Sequence, residues 1–354
     1  MVEGGIFTIL HNVLQELSEF NKNKEFEIVA LVHDATKFNF SNIQLIEIPK
    51  SKKSWFYRIY YEYFYFKKLS KKIKPDIWLS LHDTSPNVIA KKQFVYFHHP
   101  NTLRKVGLKD WYFDYKVGVF SLLYDFLFKI NIKKNHTVFV QQHWIKEIFE
   151  KRFKISNIEV AIPQFVEEIT TEKYNFEPNK IHFFYPSFPR SLKNHEIILE
   201  AIKLLPKEIV EKSQFHFTTI KDNKEKYARF LVKKYNFLEN VQFYRKVKRK
   251  QLLSMYNTMD CLIFPSKIET WGLPISEAKA YKKPMFLANL PYAKEACGNY
   301  ENVSFFDETK ADELAKIITE FVEEKHNFQG NSIIFDTSDD LQSWKELFHY
   351  ILKD

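Results

Sequence analysis

Short apolar runs alternate along the chain with longer stretches in which apolar positions recur every three or four residues. The runs suit buried strands and the longer period suits amphipathic helices. In the first half the pattern predicts strands at 26–32, 43–47, 77–81, 94–97, 137–140 and 158–161. Between them lie helical patterns over 7–20, 55–72, 111–129 and 144–153. The stretch 170–180 is polar, contains Pro178 and lacks periodicity, so it reads as a linker. A second alternation follows, with strands at 181–185, 214–219, 241–244, 260–264, 284–287 and near 303–305. Its helices are expected over 195–204, 224–235, 249–258, 275–281 and 310–324, and 339–352 closes the chain as an amphipathic helix. This rhythm predicts an α/β protein with parallel sheets, built as two doubly wound Rossmann-like domains facing a central cleft. The expected divisions are 1–169, a linker at 170–180, 181–336, and a terminal helical segment 337–354.

A chain of 354 residues suits two domains of ordinary size. Its charge, 53 − 44 = +9, favours anionic partners: nucleotide phosphates, anionic lipid surfaces or nucleic acid. Cys261 and Cys297 have no metal-like spacing and cannot form a disulfide framework, which favours a reducing, cytoplasmic setting. No apolar run reaches the roughly 18 residues of a membrane span, and no signal peptide is visible.

The most informative stretch is 260–286, DCLIFPSKIETWGLPISEAKAYKKPMF. An apolar strand runs into a loop holding Glu269, then into Gly272-Leu273-Pro274, then into a helix carrying Glu277 in its first turn. Pro274 suits an early helical position, where its missing N–H costs nothing. The amides around Gly272 and Leu273, at the positive end of the helix dipole, form a candidate phosphate site. A carboxylate beside it can accept hydrogen bonds from ribose hydroxyls.

With these residues in place, the chain resembles the retaining glycosyltransferases of family 4, which have the GT-B fold. The resemblance spans nearly the whole chain. It implies that Glu269 contacts sugar hydroxyls, that Glu277 binds ribose, and that the terminal helix crosses back to the first domain. It also implies that Arg190 and Lys193, in the loop Tyr185–Asn194, hold the donor diphosphate with Gly272 and Leu273. Val95-Tyr96-Phe97-His98-His99-Pro100 is similar to the family's Tyr-x-His-x-Pro pattern, which makes His98 an active-site residue near the reacting carbon. Gly4-Gly5 opens the first helix and is a candidate for touching donor phosphate or acceptor. His82, Asp83 and Gln142 stand at strand ends as weaker candidates. Arg245-Lys246-Val247 stands where the family has a small turn near the nucleotide base, and Thr270-Trp271 replaces its Gly-Phe or Gly-Tyr. Family members begin with a hydrophobic central strand before the glycine loop, whereas only Met1-Val2-Glu3 precedes Gly4. The natural protein is therefore expected to start upstream.

No Asp-x-Asp occurs, so no metal site and no cofactor are expected; fixed cations and helix amides would stabilise the leaving diphosphate. The expected partners are a nucleotide-sugar donor and a glycan or polyprenyl-linked acceptor, as in surface polysaccharide assembly, with no nucleic acid. The segment 52–74 mixes aromatics and lysines, which suits either an anionic membrane surface or a packed aromatic helix with a basic edge. The rival functions are a GT-B enzyme of another type, such as a nucleotide-sugar epimerase, and a non-enzymatic protein, either a basic nucleic-acid binder or an inactive homologue acting as a scaffold or anionic-ligand-binding protein.

Overall fold

A computed structural model describes residues 5–81, 83–99, 103, 107–163, 169–333 and 335–353. Helix α1 (Gly5–Phe20) leads into strands β1 (Val29–Val32) and β2 (Gln44–Glu47). A helical arm follows: α2 (Trp55–Tyr60), a π-helical turn over Tyr61–Tyr65, and α3 (Phe66–Ile73). Then come β3 (Ile77–Ser80), β4 (Lys92–Tyr96), α4 (Leu108–Phe113), α5 (Tyr115–Lys129), β5 (Thr137–Val140), α6 (His143–Phe153) and β6 (Ile158–Val160). The second half holds β7 (Ile181–Tyr185), α7 (His195–Lys203), α8 (Lys207–Lys212), β8 (Ser213–Phe217), α9 (Lys226–Tyr235), β9 (Val241–Phe243) and α10 (Arg249–Thr258). It continues through β10 (Cys261–Phe264), α11 (Leu273–Ala280), β11 (Met285–Ala288), α12 (Pro291–Cys297), β12 (Val303–Phe306), α13 (Ala311–Val322) and α14 (Trp344–Leu352).

Two compact units result. The first comprises Met1–Leu103, Leu122–Val166 and Thr337–Asp354, and the second Arg104–Ser121 and Glu167–Asp336. The segment 104–121, expected in the first domain, thus belongs to the second unit. The expected single helix over 111–129 is two helices that part at Asp114. The turn lays the Trp111 ring on Gly118, where a Cβ would come within 2.4 Å of the indole. Only glycine fits there.

All paired strands in the first unit are parallel, but the sheet is in two pieces, β1-β2 and β3-β4-β5-β6. Among the described residues no strand joins β1 to β3. Helix α1 serves both pieces through neighbouring stripes, as its 3.6-residue period allows. Ile9 and Val13 pack with Phe94, Tyr96 and Phe139, while Leu14 packs with Val32 and Ile43. The terminal segment adds Trp344, Leu347, Phe348 and Ile351 of α14 to the first of these clusters. Its approach is fixed by backbone: Leu341 donates to the Val160 carbonyl at 2.9 Å, and Ile162 donates to the Leu341 carbonyl at 2.9 Å.

The second unit is one six-stranded parallel sheet in the order β12-β11-β10-β7-β8-β9. Residues 170–180, read as a linker, are packed onto this unit. Phe176 stacks on both His182 and His216, with ring centroids 4.6 and 4.2 Å away. The Tyr174 amide donates to Thr258 Oγ1 at 2.7 Å, and the Thr170 amide donates to the Tyr281 hydroxyl at 3.0 Å. Two aromatics in a polar stretch supply the anchoring that periodicity does not reveal.

Trp344 is almost fully buried against Tyr96, with ring centroids 5.2 Å apart. Trp344→Ala is expected to cost about 3–5 kcal/mol through lost burial and a residual cavity. Urea unfolding of the variant and the wild type checks this.

Candidate functional site

The strand order of the second unit reverses between β7 and β10. From β7 the chain steps outward through β8 and β9, and from β10 it steps outward the other way through β11 and β12. At such a switch point the loops leaving adjacent carboxyl ends diverge, and ligands of doubly wound sheets bind there. The loops after β7 and β10 are those that carry Arg190, Lys193 and Glu269.

Buried hydroxyls hold the two loops together. The Tyr185 hydroxyl, at the end of β7, donates to the Lys193 carbonyl at 2.5 Å and lies 3.1 Å from Ser266 Oγ. Burial raises the Tyr185 pKa, so the hydroxyl stays protonated. The Lys267 amide donates to the Leu192 carbonyl at 2.9 Å, and the Tyr292 hydroxyl donates to the Ser266 carbonyl at 2.6 Å. On this frame Lys193 Nζ donates to Glu269 Oε1 in an ion pair. Glu269 is buried, and an ammonium has three donors, so two remain after this bond. Arg190 is exposed, and its side chain has no hydrogen bond or ion pair among the described residues.

Helix α11 starts beside Glu269. Gly272 caps it at φ +93, a backbone region that disfavours side chains, and an added Cβ would lie 3.2 Å from Ile275 Cδ1. Pro274 follows in the first turn, so Gly272 and Leu273 form the helix entry that the sequence implied. The first amides of any helix lack partners within it, which leaves this end suited to an anion. Glu277 stands one turn further on. Its Oε1 accepts from Arg249 Nη1, and its side chain is only 17% exposed. Burial, and after it the charge of Glu277, raises the pKa of the Tyr256 hydroxyl well above its usual value.

Three contributors escaped the sequence reading. Arg249 opens α10 and has only its helix position to mark it. Asp110, on α4, accepts from Ser191 Oγ at 2.5 Å and from the Gly107 amide at 2.9 Å. It therefore braces the turn carrying Lys193. Helix α12 was missed although proline opens it and Gly298 follows at φ +57, a pairing that marks helix ends. Arg245, placed near the base by resemblance, is an exposed residue whose Nε donates to Asp222.

In the first unit His98 is buried after β4. Its amide donates to Asp83 Oδ1 at 2.7 Å, and its Nε2 lies 3.7 Å from Asp83 Oδ2. Burial lowers the His98 pKa, opposed in part by Asp83, so the ring is neutral near pH 7. Asp83 takes φ +66 to reach this position. Gln142 is fully buried at the N-cap of α6 and accepts from Trp144 Nε1 at 2.5 Å. Gly5 is the first residue of α1; Gly4 and His82 lie outside the described residues. Among the described residues no cluster of three or more His, Cys, Asp or Glu side chains could hold a metal ion.

Known structures share this architecture, which is the GT-B fold. WaaG, a glycosyltransferase involved in lipopolysaccharide biosynthesis, superposes with a TM-score of 0.68 at 12% identity, covering 100% of this chain and 97% of its own. HepE from Anabaena, solved with UDP-glucose, gives 0.58 at 12% identity, covering 91% of this chain and 87% of its own. TarM from S. aureus gives 0.52 at 17% identity, covering 73% of this chain. This chain spans about half of TarM, 51% of its length.

Residues 166–332 match the model of the family described as Glycosyl transferases group 1. The match covers just under half of the chain, and the fold likeness extends over both units. No curated protein sequence matches the chain.

His195, which opens α7 two residues after Lys193, lies among Tyr185, Phe217 and Tyr227. Burial pushes its pKa down to about 3. From about pH 6.5 down to about 3 the unfolded chain therefore binds a proton that the folded chain refuses, so stability falls as pH falls. Between pH 7 and 5 this one group is expected to remove about 2 kcal/mol. Chemical unfolding at the two pH values should show the fall, and His195→Phe should reduce it.

Proposed function

We propose that the chain is a retaining glycosyltransferase that works without a divalent metal. It would move a sugar from a nucleotide-sugar donor to a glycan or polyprenyl-linked acceptor in surface polysaccharide assembly, at the inner face of the cytoplasmic membrane. The observation that carries the reading is the convergence of Lys193, Glu269 and the Gly272 helix entry at one strand-order reversal. In this reading the donor diphosphate lies at the α11 entry, within reach of Arg190 and Lys193. Glu269 takes hydroxyls of the transferred sugar, and Glu277 takes the ribose, sharing its carboxylate with Arg249.

The reaction breaks the bond between the anomeric carbon and the diphosphate oxygen, whose electron pair leaves with the phosphate. An acceptor hydroxyl bonds to the same carbon on the same face and passes its proton to the departing phosphate oxygen. Charge grows on the diphosphate as that bond lengthens, so donors fixed around it lower the barrier. Arg190 adds a forked pair of donors that lysine cannot offer. His98, neutral and oriented by Asp83, would serve as a hydrogen-bonding group rather than an acid. The scaffold alternative is not favoured, since a braced lysine–glutamate pair beside a glycine-capped helix entry suits donor binding.

Thermal shift with UDP-, GDP-, ADP- and dTDP-sugars, without divalent metal, tests the donor. One nucleotide class should raise the Tm of the wild type and not of Glu277→Ala. Silence from all four with a folded protein would end this reading. Lys193→Ala should lower turnover by roughly 10²–10³-fold, the size of losing one preorganised donor to developing charge. His98→Ala should lower kcat and leave nucleotide affinity unchanged, measured by steady-state kinetics beside calorimetric titration.

A further inference from the structure

The helical arm α2–π turn–α3 has its polarity turned inside out. Among the described residues, its buried ones are Glu62 and Ser70. Glu62 accepts from Arg58 Nε at 2.9 Å and from Thr84 Oγ1, and its carbonyl accepts the Asn87 amide at 2.8 Å. Ser70 Oγ accepts the Ile89 amide at 2.9 Å. The arm is therefore fastened to the first unit by these polar groups, together with the Phe66 ring, which packs on Trp78 of β3 at 5.5 Å.

Its outer face is aromatic and basic. Phe56, Tyr60 and Phe64 recur every four residues and are 86%, 52% and 65% exposed. Tyr60 and Phe64 stack at 6.3 Å. The same stripe continues into Lys67, Lys68 and Lys71, with Lys72 and Lys74 beside them, all exposed. From 50 to 74 there are nine cations (Lys50, Lys52, Lys53, Arg58, Lys67, Lys68, Lys71, Lys72, Lys74) against one acid, the buried Glu62.

We propose that this face docks the protein on an anionic lipid surface, with Phe56, Tyr60 and Phe64 at the headgroup–acyl boundary and the α3 lysines among the headgroups. The two chemistries on one helix match the two layers of a membrane interface. A second copy offers the same cations to the same cations, so a self-contact would leave them uncompensated. A nucleic acid strand needs bases stacked beside a tracked backbone, whereas here the rings fill one half of the arm and the lysines the other. Docking gives the membrane placement proposed above a surface, and it does not need the transfer chemistry.

Flotation of the full chain with vesicles of phosphatidylcholine alone, and with an equal share of phosphatidylglycerol, tests this. Binding is expected to the anionic vesicles at least about tenfold above the neutral ones, weakening about fivefold for each of Lys67→Gln, Lys68→Gln and Lys71→Gln. Phe56→Ser with Phe64→Ser should release the protein by about tenfold or more. These side chains are exposed, so the variants should keep the wild-type Tm and its shift with nucleotide-sugar. A Tyr60→Trp variant should be quenched by brominated anionic lipid, which reports insertion. No flotation, equal flotation with both vesicles, or unchanged binding of the double variant overturns the proposal. So does a wild-type dimer that the double variant dissolves, or an oligonucleotide that takes the same face more tightly than the vesicles.

Discussion

The parallel pairing of β7 with β10 at the centre of the second sheet, where the strand order reverses, is the constraint on which the candidate site depends. Neither loop alone is a site. The first carries two cations and no acid; the second carries an acid and a helix entry. Strand order makes them neighbours, and buried hydroxyls on Tyr185, Ser266 and Tyr292 fix their separation. A buried carboxylate without its ammonium would carry a heavy desolvation cost, so Glu269 and Lys193 hold each other in place as well as facing a ligand. Support reaches this pair from a distant part of the chain, where Asp110 steadies Ser191 on the lysine's own turn.

Much of this was legible in the sequence because the second unit is locally consistent. Its strands β10 and β11 are near-continuous apolar runs, as parallel strands covered on both faces require, and Gly272-Leu273-Pro274 suits a helix entry. Strands 137–140 and 181–185 and helix 249–258 match the observed elements residue for residue. What periodicity could not reveal was long-range. Asp110 and Arg249 look like ordinary charged helix residues until their partners, 81 and 28 positions away, are known. The supposed linker was misread because Phe176 finds its place against two histidines on different strands, a contact with no local signature. The arm from 55 to 73 was recognised as helical, yet the pattern could not tell which side faced in. Its buried side is chosen by Glu62 and Ser70, residues that a hydrophobicity argument would have placed outside.

The first unit shows how a polar anchor organises its surroundings. Glu62 lies in the π-helical turn, where an extra residue per turn widens the backbone, and its carbonyl takes the Asn87 amide. Its carboxylate meets Thr84, whose neighbour Asp83 orients His98. A chain of direct contacts and one peptide link thus runs from the base of the arm to the buried histidine. Burial keeps that histidine neutral, and the aspartate sets its position rather than its charge.

The divided sheet of the first unit has a consequence for how that unit comes apart. Backbone hydrogen bonds tie β1 to β2, and others tie β3 through β6 together; α1 is hydrogen-bonded to the first set through Ser18 and Asn42 and packs on the second through apolar side chains. Side-chain packing loosens more gradually than a strand ladder, so the unit holds two cooperative blocks joined by a greasy hinge. Amides of β1 and β2 would then exchange with solvent through a partial opening that leaves β4 and β5 closed. Protection of the β4 and β5 amides, by contrast, would track the full unfolding of the block that α14 seals.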